Sequence, residues 1–259
     1  MSKPNQYGRR YEGKVALITG ATKGIGFAIA ERLGLEGAAV AICSRKQKNV
    51  DEAVNALKAK GVTHVVGFPI HVGTSEAREQ LIQATVKHFG RIDVLVSNVA
   101  LNPVMGPMLD VTTESVWDKI MDVNVKSHFF LVKSALPHMP AGGNVIIIAS
   151  YAGYLPNPLL GAYSVSKTAL LGLTKVLATE LAPRQIRVNC VAPGIIKTNF
   201  SEALWKSDAA ADVTLKDIPL QRFGLPEECA SCVAFLASAD GAFMTGEVLL
   251  PTGGVHARL

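Results

Sequence analysis

Tyr163 and Lys167, four positions apart, and Ser150, thirteen residues before the tyrosine, are the side chains in this sequence best suited to moving a proton. Positions four apart share one face of a helix, and the run Tyr163-Ser164-Val165-Ser166-Lys167 lies in a helix-forming stretch, whereas Ser150 ends an apolar run that reads as a strand. The three groups can therefore converge at the carboxyl end of a sheet. A carbonyl turning into an alkoxide needs a proton from a donor that titrates near the working pH. A free phenol, with a pKa of about 10, is too weak an acid. An ammonium beside it stabilises the phenolate, so a depressed Tyr163 pKa is expected, with the Ser150 hydroxyl holding the substrate oxygen within reach. Each feature alone is commonplace, because Tyr and Lys at this spacing also form surface pairs and a Ser after a strand is often only a turn or cap residue.

The hydride for such a reduction comes from a nicotinamide, and a second motif provides for one. Thr19-Gly20-Ala21-Thr22-Lys23-Gly24-Ile25-Gly26-Phe27 follows the first strand-like run and opens a helix. Glycines there let the backbone turn sharply and approach a pyrophosphate, which sits against free amides and the helix dipole. The second strand ends in Cys43-Ser44-Arg45-Lys46, where an NAD-preferring chain would carry an Asp or Glu for the ribose 2′-hydroxyl. No acid stands there. Arg45, aided by Lys23, is shaped to grip a 2′-phosphate, so NADP(H) is expected over NAD(H). The alternative is that 44–48 is simply a solvated turn.

Strand-like runs at 14–19, 39–43, 64–70, 92–97, 144–149, 186–191 and 247–250 alternate with helical stretches at 24–35, 49–60, 75–89, 113–138, 162–181 and 226–237. Alternation implies parallel pairing with right-handed crossovers. The expected architecture is a single-domain, Rossmann-like, doubly wound parallel α/β sheet of about seven strands over 1–259, which binds ligands where the strand order reverses. One long connection breaks the rhythm and reads as a substrate lid near 195–225, containing Phe200, Leu204 and Trp205.

With 259 residues, 49% hydrophobic and 18% charged, the chain has apolar mass for one sizeable core, and no linker or repeat divides it. The net charge of +5 is scattered and has no interleaved aromatics, so no nucleic-acid partner is expected. No apolar stretch approaches the roughly 20 residues of a membrane span, and residues 1–14 lack the apolar segment of an export signal. The four cysteines read as reduced thiols; Cys229 and Cys232 fall one turn apart on a helix without further ligands, so no metal site is expected. The last residues, Ala257-Arg258-Leu259, have the small-basic-leucine shape of a peroxisomal address; peroxisomal import is expected, with a cytoplasmic pool as the alternative.

The spacing of the glycine loop, Gly20, Gly24 and Gly26, together with Ser150, Tyr163 and Lys167, resembles the short-chain dehydrogenase/reductase family, and the likeness runs through nearly the whole chain. Leu95-Val96-Ser97-Asn98-Val99-Ala100 is similar to its Asn-Asn-Ala-Gly stretch, Met121-Asp122-Val123-Asn124 to the place of its structural asparagine, and Pro193-Gly194-Ile195-Ile196-Lys197-Thr198 to its Pro-Gly motif. The resemblance implies that Asn124 is a fourth catalytic residue holding a water that links Lys167 to solvent, or a buried amide stabilising its helix, or both. It implies cofactor contacts from Gly20, Thr22, Lys23, Gly24, Ile25 and Gly26 at the pyrophosphate, and from Ser44, Arg45 and Lys46 at the adenosine ribose. Further contacts would come from His71, Val72 and Asn98 on the adenine side, from Tyr163 and Lys167 at the nicotinamide ribose, and from Pro193, Gly194, Ile196 and Thr198 at the carboxamide. Two departures bear on the adenine side: Ser97, Val99 and Ala100 replace family residues, and His71 stands where an Asp is common.

Within the family, Lys46 to Asp51, Val116 to Lys119, Ser166 to Lys175 and the chain end are most similar to its peroxisomal NADP(H)-dependent retinol dehydrogenase/carbonyl reductase group. That likeness implies reduction of apolar ketones, α-dicarbonyls or retinal-like aldehydes. It also implies a homotetramer built through the helices at 113–138 and 162–181, and an apolar pocket including Tyr151, Tyr154, Leu155, Pro156, Phe200 and Leu204. A β-ketoacyl or steroid reductase on the same scaffold is the enzymatic alternative. A catalytically silent NADP(H)-binding regulator is the alternative of another class, and it would be expected to have a broken catalytic set.

Overall fold

Val15–Thr19, five buried residues in a row, form β1 in the interior of a seven-stranded sheet. A continuous apolar run is what a parallel strand covered on both faces requires. The computed structural model describes residues 8–255, and along them the chain alternates strand and helix. After β1 come α1 (Gly24–Leu35), β2 (Ala39–Cys43), α2 (Gln47–Ala59), β3 (Val65–Phe68), α3 (Ser75–Phe89) and β4 (Val94–Ser97). Then follow a short α4 (Met108–Val111), α5 (Glu114–Met121), α6 (Ser127–Ala135), β5 (Asn144–Ile148), α7 (Gly161–Leu181) and β6 (Arg187–Val191). The chain finishes with α8 (Asp208–Leu215), α9 (Pro226–Leu236) and β7 (Val248–Leu249).

The strand order is β3-β2-β1-β4-β5-β6-β7, and every pair is parallel. Order reverses between β1 and β4, so the connections leaving these two strands diverge and open a crevice at their carboxyl ends. Alternate side chains build two cores. Ile18, Ile42 and Val96 face α1 and α9 with Ile29, Leu33 and Val233. Leu17, Leu95 and Ile147 face α3, α6 and α7 with Leu81, Leu131 and Leu170. This is the expected single-domain doubly wound α/β architecture. None of the helices of the described residues is long and apolar enough to cross a membrane.

The helix expected over 113–138 is not one piece. Between α5 and α6 lies a single wide π turn, Asp122–Lys126, with Asn124 fully buried in it. The cause is tertiary: the Asn124 amide donates to the Leu101 carbonyl at 2.9 Å and to Ser166 Oγ at 3.0 Å, and its oxygen accepts from the Leu101 amide at 2.8 Å. Drawing that side chain between a loop and α7 bulges the backbone by one residue, a feature periodicity does not register.

Candidate active site

The glycine loop leaves β1 through Gly20 at φ +61° and reaches α1 through Gly24 at φ +57°, a left-handed backbone that glycine adopts without strain. Asn98, just past β4, ties this loop down: its Nδ2 donates to the carbonyls of Thr19 and Gly20, each at 3.1 Å, and its backbone amide donates to Thr19 Oγ1 at 3.0 Å. Helix α1 has no side-chain cap and no acid in its first turn. Its leading amides and the positive end of its dipole therefore face the crevice, a ready site for an anion.

A cavity of about 1120 Å³ runs from this loop along the carboxyl ends of the strands. Gly20, Lys23, Gly24, Ile25 and Asn98 line one end, and Ser150, Tyr163 and Lys167 stand in the same cavity, with Pro193, Gly194, Ile196 and Thr198 on a further wall. The phenol, the amine and the strand-end hydroxyl thus meet. Helix α7 presents Tyr163 and Lys167 one turn apart on its buried face, and Lys167 Nζ, 5.6 Å from the Tyr163 ring centroid, donates to the Ile148 carbonyl at 3.0 Å. Ser150 caps the turn after β5, its Oγ accepting from the Ala152 amide at 3.2 Å. Thr198 crosses the cavity to within 3.3 Å of where a Cβ on Gly24 would sit.

The expected depression of the Tyr163 pKa is reversed. Burial pushes the phenol up to about 12, the Ser150 hydrogen bond working against it, while burial also brings the Lys167 ammonium down to about 8. Removing both groups from water disfavours both charged forms, and the ammonium, bonded to the Ile148 carbonyl, does not offset that loss at the phenol.

Tyr151, Leu155, Pro156, Phe200 and Leu204, expected in an apolar pocket, also line this cavity, whereas Tyr154 packs against the core. Other residues named from sequence lie off its wall. Thr22 and Gly26 sit behind the loop rather than on the cavity wall, and Asn124 spends its amide on Leu101 and Ser166. Ser44, Arg45, Lys46 and His71 cluster past the ends of β2 and β3, outside the cavity wall. Arg45 and Lys46 are exposed. The His71 pKa is lowered by burial first and by the Arg45 charge second. Val72 is buried in the core below, its carbonyl accepting from Arg78 Nη1 at 3.0 Å. Among the described residues, no cluster of His, Cys, Asp and Glu side chains forms a metal site. The terminal Ala257-Arg258-Leu259 lies outside the described residues.

Sequence reasoning missed several wall residues. Asn102, Met105, Leu160, Thr214, Asp217 and Val255 reach the cavity from four separate segments. The only available signal was the long 195–225 connection, which holds a 3-10 turn at Asn199–Leu204 and α8, and which contributes Thr214 and Asp217.

His128 was also missed. It is fully buried on α6, with Nε2 3.0 Å from the Val99 carbonyl and Nδ1 without a partner among the described residues. Burial first, then the Lys167 charge, lowers its pKa from 6.5 to about 3. The unfolded imidazole takes up a proton near 6.5 that the folded one refuses until about 3, so the unfolded chain binds more protons in that window and stability falls as pH drops through it. Urea unfolding from pH 7 to pH 4 is expected to show this loss at up to about 1.4 kcal/mol per pH unit, and the slope to flatten in His128→Gln. An unchanged slope would mean that other groups carry the acid sensitivity.

A family model described as Enoyl-(Acyl carrier protein) reductase matches residues 20–256. The chain is 52% identical to dehydrogenase/reductase SDR family member 4 of Oryctolagus cuniculus over 248 residues, 95% of this chain and 95% of that protein. It is also 52% identical to tropinone reductase-like 3 of Erythroxylum coca over 252 residues, 97% of this chain and 96% of that one. A crystal structure of a short chain dehydrogenase from Burkholderia cenocepacia in complex with NADP matches with a TM-score of 0.88 at 32% identity, over 96% of this chain and 100% of that one. The chain belongs to the short-chain dehydrogenase/reductase family of oxidoreductases.

Proposed function

We propose that this protein is an NADP(H)-dependent reductase of apolar carbonyl compounds, among them ketones, α-dicarbonyls and retinal-like aldehydes. The observation that carries the reading is the meeting of Ser150, Tyr163 and Lys167 in one cavity with the glycine loop and the uncapped start of α1. The residues fit a dinucleotide. Gly20, Gly24 and Ile25 offer a close backbone approach for a pyrophosphate, with Thr22 and Gly26 supporting the loop; Asn98, His71 and Val72 bound the adenine side; Ser44, Arg45 and Lys46, with Lys23, suit a 2′-phosphate. Pro193, Gly194, Ile196 and Thr198 would take the carboxamide end. When bound, the reduced nicotinamide supplies a hydride to the carbonyl carbon.

Tyr163 Oη then donates its proton to the carbonyl oxygen, and the alkoxide leaves as an alcohol. Ser150 Oγ donates a hydrogen bond to the same oxygen and fixes its distance from the phenol. Lys167, held by the Ile148 carbonyl, has further ammonium protons for a ribose hydroxyl. Asn124 acts as a positioning residue, because its bonds to Leu101 and Ser166 hold the loop after β4 against α7. The 195–225 segment serves as the substrate lid. A β-ketoacyl or steroid reductase on the same scaffold is the second reading, and the family model's description, an enoyl-(acyl carrier protein) reductase, supports its thioester-linked form. Assembly as a homotetramer belongs to the same proposal, supported by Phe129 on α6 and by Val165 and Val176 on α7, all exposed and apolar. So does a peroxisomal address at Ala257-Arg258-Leu259, tested by imaging a fluorescent fusion with and without those residues.

The test is oxidation of NADPH and of NADH over a panel of aromatic ketones, dicarbonyls, retinal, steroids and acyl thioesters. NADPH is expected to be preferred and the apolar ketones to react fastest; preference for the thioesters would select the second reading. In Arg45→Ala, loss of a charge-assisted bond at an exposed position, about 1–2 kcal/mol, is expected to raise KM for NADPH about tenfold with KM for NADH little changed. A strong NADH preference in the unmodified protein would overturn the cofactor assignment.

A further inference from the structure

The segment leaving β4 meets the cavity at alternate residues: Asn98, Ala100 and Asn102 line it. Val99 and Leu101, which are not on that wall, are gripped instead by two side chains of one helical stretch. Asn124 in the π turn holds Leu101 through both its amide group and its carbonyl oxygen. His128 in α6 reaches the Val99 carbonyl with Nε2 at 3.0 Å. A carbonyl only accepts, so the proton of this bond sits on Nε2 and Nδ1 is left as an acceptor, one without a partner among the described residues. A fully enclosed imidazole with one nitrogen unmet is destabilising. An apolar side chain would avoid that cost, so the bond from Nε2 is the feature that sets the histidine apart there. Its reach extends to the glycine loop through one neighbour. Val99 follows Asn98, whose Nδ2 donates to the carbonyls of Thr19 and Gly20 and whose backbone amide donates to Thr19 Oγ1.

We infer that His128 is a positioning residue for the dinucleotide: by holding the Val99 carbonyl it fixes Asn98, and through Asn98 it sets the glycine loop against the start of α1. His128 is not itself on the cavity wall, so it acts only through Val99 and Asn98. Without the Nε2 bond, Val99 is free to shift, Asn98 shifts with it, and the loop carbonyls lose the donor that ties them down. The loop serves the pyrophosphate, which NADPH and NADH share. Losing the bond therefore weakens both cofactors by the same factor, unlike loss of Arg45, which acts on the 2′-phosphate alone. The inference rests on the dinucleotide reading of the cavity.

Two amide replacements separate the nitrogens of the ring. The amide nitrogen of Gln overlies the position of Nε2 and keeps the donor to Val99, whereas that of Asn overlies Nδ1 and leaves the Val99 carbonyl unmet. Kd for NADPH and for NADH is measured by fluorescence in the intact protein and in His128→Gln, His128→Asn and His128→Leu. Loss of one buried hydrogen bond is expected to raise both Kd values about fivefold to tenfold in the Asn and Leu variants, with the Gln variant close to the unmodified protein. In turnover the loss is expected in KM for the cofactor rather than in kcat. Hydrogen exchange in the cofactor-free protein gives a readout that needs no ligand: the Asn98 and Leu101 amides should exchange faster in the Asn and Leu variants and not in Gln, while Leu17 and Ile146 in the sheet keep their rates. Faster exchange across the sheet as well would mark general loosening and overturn the assignment, as would Kd values that are the same in all four proteins. If the unmodified protein bound neither dinucleotide, the reading of the cavity would fall instead, and the exchange pattern alone would decide whether His128 clamps the loop.

Discussion

Tyr163→Phe is expected to lower kcat for carbonyl reduction by about 10²–10⁴-fold, the span that a positioned general acid contributes, while the protein stays folded. The substitution removes one oxygen from a buried ring that packs beside Phe200 and leaves the ring itself in place, so cofactor affinity, read by NADPH fluorescence, should hold while turnover collapses. The pH dependence follows from the site's electrostatics. With the phenol held up at about 12, its protonated form prevails across the neutral range, so the acid needed for reduction is present there. The phenolate needed for the reverse reaction becomes more populated only as pH rises. Alcohol oxidation should therefore climb with pH from 7 to 10 while reduction stays level or declines, and Tyr163→Phe should abolish the climb. Full activity in the variant would show that another group delivers the proton.

Gly26→Ala should cost both stability and cofactor affinity. A Cβ on Gly26 would lie 2.5 Å from the Gly20 carbonyl oxygen, 2.5 Å from Asn98 Nδ2 and 2.9 Å from the Ala21 Cα. Two of these are backbone atoms of the loop itself, so no flexible side chain can swing aside. Overpacking of this kind costs about 1–3 kcal/mol. Relief requires the loop to lift away from α1, which breaks the Asn98 bonds to Thr19 and Gly20 and spoils the approach to the helix amides. KM for NADPH is expected to rise at least about tenfold, with a lower midpoint in thermal unfolding. Unaltered KM and midpoint would mean the loop absorbs the methyl, and with it that the close approach of its backbone is dispensable.

What the sequence determined by itself is local. Tyr163 and Lys167 share a face because four residues make about one helical turn, and α1 starts at Gly24 because Gly20, at positive φ, turns the chain out of the strand. The parallel sheet was legible because its strands are buried on both faces and read as unbroken apolar runs. Even so, β3, expected over 64–70, is only Val65–Phe68. What the tertiary structure decided depends on neighbours distant in sequence. The strand order that opens the crevice between β1 and β4, and the arrival of Ser150 beside Tyr163, follow from how α7 packs back on β5 and β6. The π turn at Asn124 exists because Leu101 and Ser166 claim its amide from either side. The direction of the Tyr163 shift was misread from the lysine's proximity alone, because desolvation is summed over every atom that displaces water, and no spacing of two residues in a chain contains that sum.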